Sequence, residues 1–338
     1  MGELIIDTRC GLGNRLCAIF SAWVIAESEK IPLRIIWRRS IHDGAYCHFT
    51  DLFSTVKFDN IEIDDIEQDA HTEWPNVHRL SDMTLDRVRA GESVQIGVRE
   101  LLPHEKIPDW LFLDRLRECF LRLQLNPDVQ KRIDTPQQPF VGLHVRFTDH
   151  IPATLSTPQW LYRNAIDHIL SEYPSLKIWA CGDAPEFLRE LYRRHPDNIT
   201  LSPSAMEQEP PDRYSAVGIQ TALADLVSLS RAQLVIASPN SSFSTLAGYF
   251  GTRNTYSLSV HPSFDHHYTR SILWIIAHYG DTNCKPTVTQ KMLGPLIRLV
   301  SRSAFQNFPL FPTNHERMAE LSRKIEALKI PKTKPVVI

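Results

Sequence analysis

Four clusters of side chains in this chain are of types that handle anions or protons. The run VGLHVRFTDH, residues 141–150, starts as an apolar β-branched stretch and ends with His144, Arg146, Asp149 and His150. A permanently charged guanidinium at a strand's end suits bidentate bonding to phosphate. A plainer account pairs Arg146 with Asp149 and leaves His144 a satisfied core histidine. In SPNSSFSTLAGYFG, residues 238–251, Pro239 and Asn240 turn the chain and Ser241, Ser242 and Ser244 crowd a helix start. Hydroxyls and free N–H groups at a helix start bind anions without a cation, although one serine could simply cap the helix. GLGN, residues 11–14, lies between a strand and a helix. Glycines there permit positive φ or close backbone approach beside a phosphate-attracting helix end, while a tight turn capped by Asn14 is the alternative. The fourth is Asp225 in ALADLVSLS, an acid flanked by apolar residues that by itself reads as a solvated helix position.

The elements that must position these groups alternate. ELIIDT (3–8) reads as a strand, and Leu16, Ile19, Phe20 and Trp23 recur at helical spacing after it. PLRIIW (32–37) is the next strand. Helices are expected over 81–90 and 109–122, with alternating acids around 59–69, and these elements cannot be ordered into a sheet from sequence. DTPQQP (134–139) is a polar breaker and the expected domain boundary. After it the pattern is regular: strands at 140–146, 177–181, 199–201, 233–238 and 255–259. Between them come helices opening at Thr157-Pro158, over 185–195, at about 216–230 and from Ser242, with 202–214 a proline-rich loop. Such alternation predicts a parallel sheet covered on both faces, with ligands beyond the carboxyl ends of its strands. His144, Arg146, Asp183 and Ser241 fall at that edge. Residues 314–328 read as a terminal amphipathic helix.

Composition limits the partners. The chain has 338 residues, room for two domains, with 43% hydrophobic and 22% charged residues and a formal net charge of −2. No basic stripe points to nucleic acid, and no apolar run approaches the roughly 20 residues that span a bilayer. The start MGELIIDTRCG lacks a signal-peptide pattern, so the expectation is a cytoplasmic protein. Six scattered cysteines (10, 17, 47, 119, 181 and 284) read as reduced core thiols. His266 and His267 are adjacent and so share no helix face; no zinc-type spacing is present, and no metal is expected. The dinucleotide fingerprint fails because Leu16 stands where its third glycine belongs.

In this order, GLGNRL (11–16), HVRFTD (144–149), IWACGDAPEF (178–187) and ADLVSLSRAQLVIASPNSSFSTLAGYF (224–250) resemble the fucosyltransferase superfamily. That group includes the α1,2- and α1,6-fucosyltransferases, the nodulation fucosyltransferase and the protein O-fucosyltransferases. The resemblance implies an α/β, GT-B-like fold: two Rossmann-like domains facing across a cleft, the C-terminal one with a parallel sheet. Its expected divisions are an acceptor-side domain over 1–135, a nucleotide-sugar domain over 136–270 and a helical extension over 271–338. It also implies an inverting, metal-independent glycosyltransferase that needs no cofactor and moves fucose from the donor GDP-fucose to a hydroxyl of an oligosaccharide or glycoconjugate acceptor.

Carried over residue by residue, Arg146 holds the diphosphate and His144 supports the nucleotide. Asp225 contacts the guanine, Ser241 and Ser242 bind phosphate, Gly13 and Asn14 face the donor, and Asp183 lies near the nucleotide. Two departures stand out. The family's second arginine is Phe147 here, and a glutamate that some members place shortly afterwards is replaced by IPATLSTP. The base is therefore sought among His150, Asp149 and Asp43. The alternatives are a transferase using another nucleotide-sugar and a catalytically inactive nucleotide-sugar- or glycan-binding protein.

Overall fold

The computed structural model describes residues 2–39, 45–54, 57–58, 60–67, 77–103, 107–147, 157, 159–207, 212, 214–239, 241–252, 254–258 and 314–329. Its first half is built on one sheet. Strands β1 (Leu4–Thr8), β2 (Leu33–Arg39), β3 (Lys57–Phe58), β4 (Ile61–Glu67) and β5 (Val94–Val98) take the order β3-β4-β2-β1-β5, parallel except for β3. Helices α1 (Leu12–Glu29), α2 (Phe49–Leu52), α3 (Asp82–Arg89), α4 (Asp109–Arg122) and α5 (Pro127–Arg132) accompany it. Helix α1 buries most of its length, including Leu16, Ile19, Phe20 and Trp23. A helix that apolar needs cover on more than one side.

The second half carries β6 (Val141–Val145), β7 (Ile178–Gly182), β8 (Ile199–Leu201), β9 (Leu234–Ala237) and β10 (Thr255–Ser257), all parallel in the order β10-β9-β6-β7-β8. Its helices are α6 (Gln159–Glu172), α7 (Pro185–Arg194), α8 (Pro203–Met206), α9 (Ala216–Ser230), α10 (Ser242–Phe250) and α11 (Asn314–Glu326). Every residue of β6 and β9 is buried, as expected for strands covered on both faces. The expectation of two Rossmann-like α/β units with parallel sheets is met. In each sheet the chain reverses direction beside its first strand, at β1/β5 and at β6/β9.

Helices α9 and α10 belong to the second half by sequence and to the first half by packing. Phe250 of α10 stacks on Phe120 of α4 at 3.8 Å and 3°, with Phe20 of α1 edge-on to both. Gln220 of α9 donates to the Asp51 carbonyl at 3.0 Å. One apolar core therefore runs from β1 through α1 and α4 into α9 and α10. A second core lies under α6 and α7 and takes in Leu321 and Ile325 of α11.

Several expectations need correction. Helix α1 begins at Leu12, so Asn14 is its third residue and not its cap; Gly11 is the cap residue and contributes no side chain. In the turn expected over 10–14, it is Cys10 that takes the left-handed conformation (φ 72°). Neither glycine of GLGN has positive φ. The loop expected over 202–214 contains the short helix α8. Strand β5 was not anticipated, although Val94, Ile96 and Val98 are buried in it beside β1.

Candidate active site

The ladder between β6 and β9 stops at Leu143↔Ile236, and the two strands then part. This is the reversal point of a doubly wound sheet, where such folds open a crevice for ligands. His144 and Arg146 follow on one side of it, Ser238, Ser241 and Ser242 on the other.

Helix α10 starts at that crevice, and Ser241 occupies its cap position without any side-chain capping bond. The alternative of plain capping by one serine is thus not what the structure shows. The buried Ser244 hydroxyl turns back to the Ser241 carbonyl at 3.5 Å, and the Ser242 oxygen lies against Gly13. A helix start whose serines leave its N–H groups uncapped is a ready anion site.

Gly13 is required by close approach. A Cβ placed there would sit 3.0 Å from both the Phe243 nitrogen and the Ser242 Oγ. The first turn of α1 is thereby pressed against the first turn of α10, bringing two helix N-termini together. Asn14, half-buried, is the next residue along.

The His144 ring lies 4.9 Å from the Phe243 ring, stacked at 24°. Its Nδ1 is buried, with no hydrogen-bond partner among the described residues. Burial, with Arg146 adding repulsion, pulls its pKa down to about 3, so the imidazole is neutral at physiological pH. The account of His144 as a hydrogen-bonded core residue therefore fails at Nδ1.

Arg146 is partly exposed, and its Nε lies 3.9 Å from Asp183 Oδ2. Asp183 is itself held: Oδ1 accepts the Phe147 N–H at 2.6 Å, and its own N–H donates to the Val145 carbonyl at 3.1 Å. That approach depends on Gly182, whose φ of 148° and whose Cβ position, 1.9 Å from the Val145 oxygen, admit no side chain. Phe147 turns its ring away to Tyr162 (5.5 Å, 75°) and Phe187 (5.3 Å). The second arginine's place is thus taken by a ring packed onto the second core. Asp149, His150 and Asp43 lie outside the described residues, as do Cys284, His266 and His267.

Asp225 is not solvated. It is 8% exposed, accepts from Ser204 Oγ at 3.1 Å and is hydrogen-bonded by Ser202. Burial raises its pKa to about 7 against the pull of those two hydroxyls. It also helps push the buried Cys181 thiol upwards, after burial itself. A carboxyl that titrates near neutrality under two serines can take or give up a proton on ligand binding.

Ser238, Phe243, Tyr162, Ser202 and Ser204 were missed by sequence reasoning. A signal existed for Ser238, a hydroxyl ending an otherwise apolar strand; none existed for Tyr162, which lies in another helix. Among the described residues no group of three or more His, Cys, Asp or Glu side chains could hold a metal ion. No helix there is long and apolar enough to cross a membrane.

No family model and no curated protein sequence matches the chain. Among solved structures it is similar to the NodZ α-1,6-fucosyltransferase soaked with GDP-fucose, at 20% identity and a TM-score of 0.49, covering 74% of this chain and 93% of that one. The selenomethionine form of fucosyltransferase NodZ from Bradyrhizobium gives 20% and 0.48, covering 73% and 91%. POFUT1 in complex with GDP-fucose is similar at 11% identity and a TM-score of 0.45, covering 76% and 98%. Likenesses of this extent carry no argument about chemistry, which rests on the residues above.

Proposed function

We propose that the protein is a glycosyltransferase that binds the diphosphate of a nucleotide-sugar at the β6/β9 crevice, with GDP-fucose as donor and a glycan hydroxyl as acceptor. The observation that carries this reading is the uncapped start of α10 at the crevice that Arg146 also borders, with neutral His144, two residues before Arg146, stacked on Phe243 of α10. As the sugar–phosphate bond breaks through an oxocarbenium-like state, charge gathers on the leaving diphosphate. Arg146 and the α10 N–H groups are already in place to receive it, a preorganised effect worth about 3 kcal/mol per donor. Asp225 offers a carboxylate to N–H donors of a base, which fits guanine, and Gly13 lets α1 close the other side.

Residues 1–135 form the acceptor side in this reading, 136–270 the donor side across a GT-B-like cleft, and 271–338 a helical extension. Inversion at the sugar and independence of metal belong to the same proposal. Two measurements test it. A thermal-shift panel of GDP, GDP-fucose, other GDP-sugars and UDP-sugars should single out the guanosine ligands. A ligand at 100-fold its Kd stabilises by about 2.7 kcal/mol. Donor hydrolysis in EDTA, followed by NMR of the released anomer, separates an enzyme from an inactive binder and reports the stereochemistry. Stabilisation by UDP-sugars alone would overturn the donor assignment.

A further inference from the structure

Behind the crevice lies a buried polar pair that the proposed chemistry does not use. Ser238 is 3% exposed and Tyr162 fully buried. The Ser238 Oγ makes three contacts: 3.0 Å from the Arg146 nitrogen, 3.0 Å from the His144 carbonyl and 2.6 Å from the Tyr162 hydroxyl. A hydroxyl has one proton to donate and two lone pairs to accept with. The Arg146 N–H can only donate and the His144 carbonyl can only accept. The Tyr162 hydroxyl also lies 3.4 Å from the His144 carbonyl, but Ser238 is closer at 3.0 Å, so Ser238 gives its proton to His144 and Tyr162 donates to Ser238. Every valence of the serine oxygen is used.

These bonds stand where the ladder has ended, since β6 and β9 pair only as far as Leu143 and Ile236. Ser238 fixes the main chain of β6 on both sides of Val145 at the point where the strands diverge. Three residues later the same chain starts α10. One oxygen thus sets the separation between Arg146 and the uncapped helix start, the two groups that face the anion.

We propose that Tyr162 and Ser238 are positioning residues that hold Arg146 and the α10 N-terminus at the spacing a diphosphate requires, Tyr162 acting through Ser238. The proposal rests on the diphosphate reading above. It is tested by titrating GDP into the full-length protein and its Tyr162→Phe, Ser238→Ala and doubly substituted variants. Tyr162→Phe keeps the ring on Phe147 and Phe187 and removes only the oxygen. Each single change should weaken GDP roughly five- to ten-fold. The double variant should bind little more weakly than Ser238→Ala, because the other contact of the Tyr162 hydroxyl among the described residues is the long one to the His144 carbonyl, at 3.4 Å. Guanosine, followed by saturation-transfer NMR, should bind the variants as it binds the wild type. Additive losses, a parallel loss for guanosine, or unchanged GDP affinity would overturn the proposal. If the wild-type protein binds no GDP, the diphosphate reading falls first and takes this inference with it, a result distinct from the others.

Discussion

Asp225→Asn isolates a buried carboxyl whose charge no cation among the described residues compensates. The side chain is held by two serine hydroxyls, yet its pKa stands at about 7 against an ordinary 3.8. About three pKa units at 1.36 kcal/mol each is roughly 4 kcal/mol of linkage, an upper figure because water can enter as the charge forms. The sign follows from which state releases its proton first. In the unfolded chain Asp225 ionises near pH 4, while in the folded chain it keeps its proton to about pH 7. Stability from this group is therefore complete below pH 4, declines as pH rises to 7, and is flat beyond. Asparagine is isosteric, can accept from the same serines and does not titrate. Urea denaturation of both proteins at pH 4.5, 5.5, 6.5 and 7.5 gives the wild-type-minus-variant difference, in which other titrating groups cancel. His144 is one of these, with the opposite sense: its depressed pKa of about 3 makes its contribution full above pH 6.5 and lost on acidification. The difference should shift against the wild-type protein by about 3 kcal/mol across the series. A difference independent of pH would refute the burial argument and with it the claim that Asp225 waits to be ionised by a ligand.

Further outcomes follow from the same geometry. If the ionised Asp225 accepts N–H bonds from guanine, GDP binding at pH 6 should release close to one proton, visible as a binding enthalpy that changes with buffer; a buffer-independent enthalpy would remove the base assignment. Arg146→Ala should leave the circular dichroism spectrum unchanged and weaken GDP by about 10- to 100-fold, the worth of a charge-assisted hydrogen bond; near-normal affinity by titration calorimetry would refute its role. Gly13→Ala should force α1 and α10 apart by a few tenths of an ångström and cost several-fold in GDP affinity with little change in Tm. Gly182→Ala should cost about 3 kcal/mol or more in urea denaturation, since the new methyl meets the Val145 carbonyl.

The sequence by itself determined the opening strand–helix–strand unit and the strand–helix alternation of the second half, the helices expected over 81–90 and 109–122, and the run from Asp225 through Ser242 where anion-binding groups gather. These are legible because periodicity, caps and breakers act over a few neighbouring residues. Only the tertiary structure decided that Asp225 is buried, because its cover comes from Ser202 and Ser204, more than twenty residues upstream along the chain. It alone placed Gly13 against α10, turned Phe147 to the second core and inserted β5 beside β1, each a contact between segments distant in sequence. Ser238 shows the division most plainly. Its hydroxyl can be read in the chain, but the three partners that use up its valences lie on β6, just past its end and on α6, and only folding brings them within 3 Å of it.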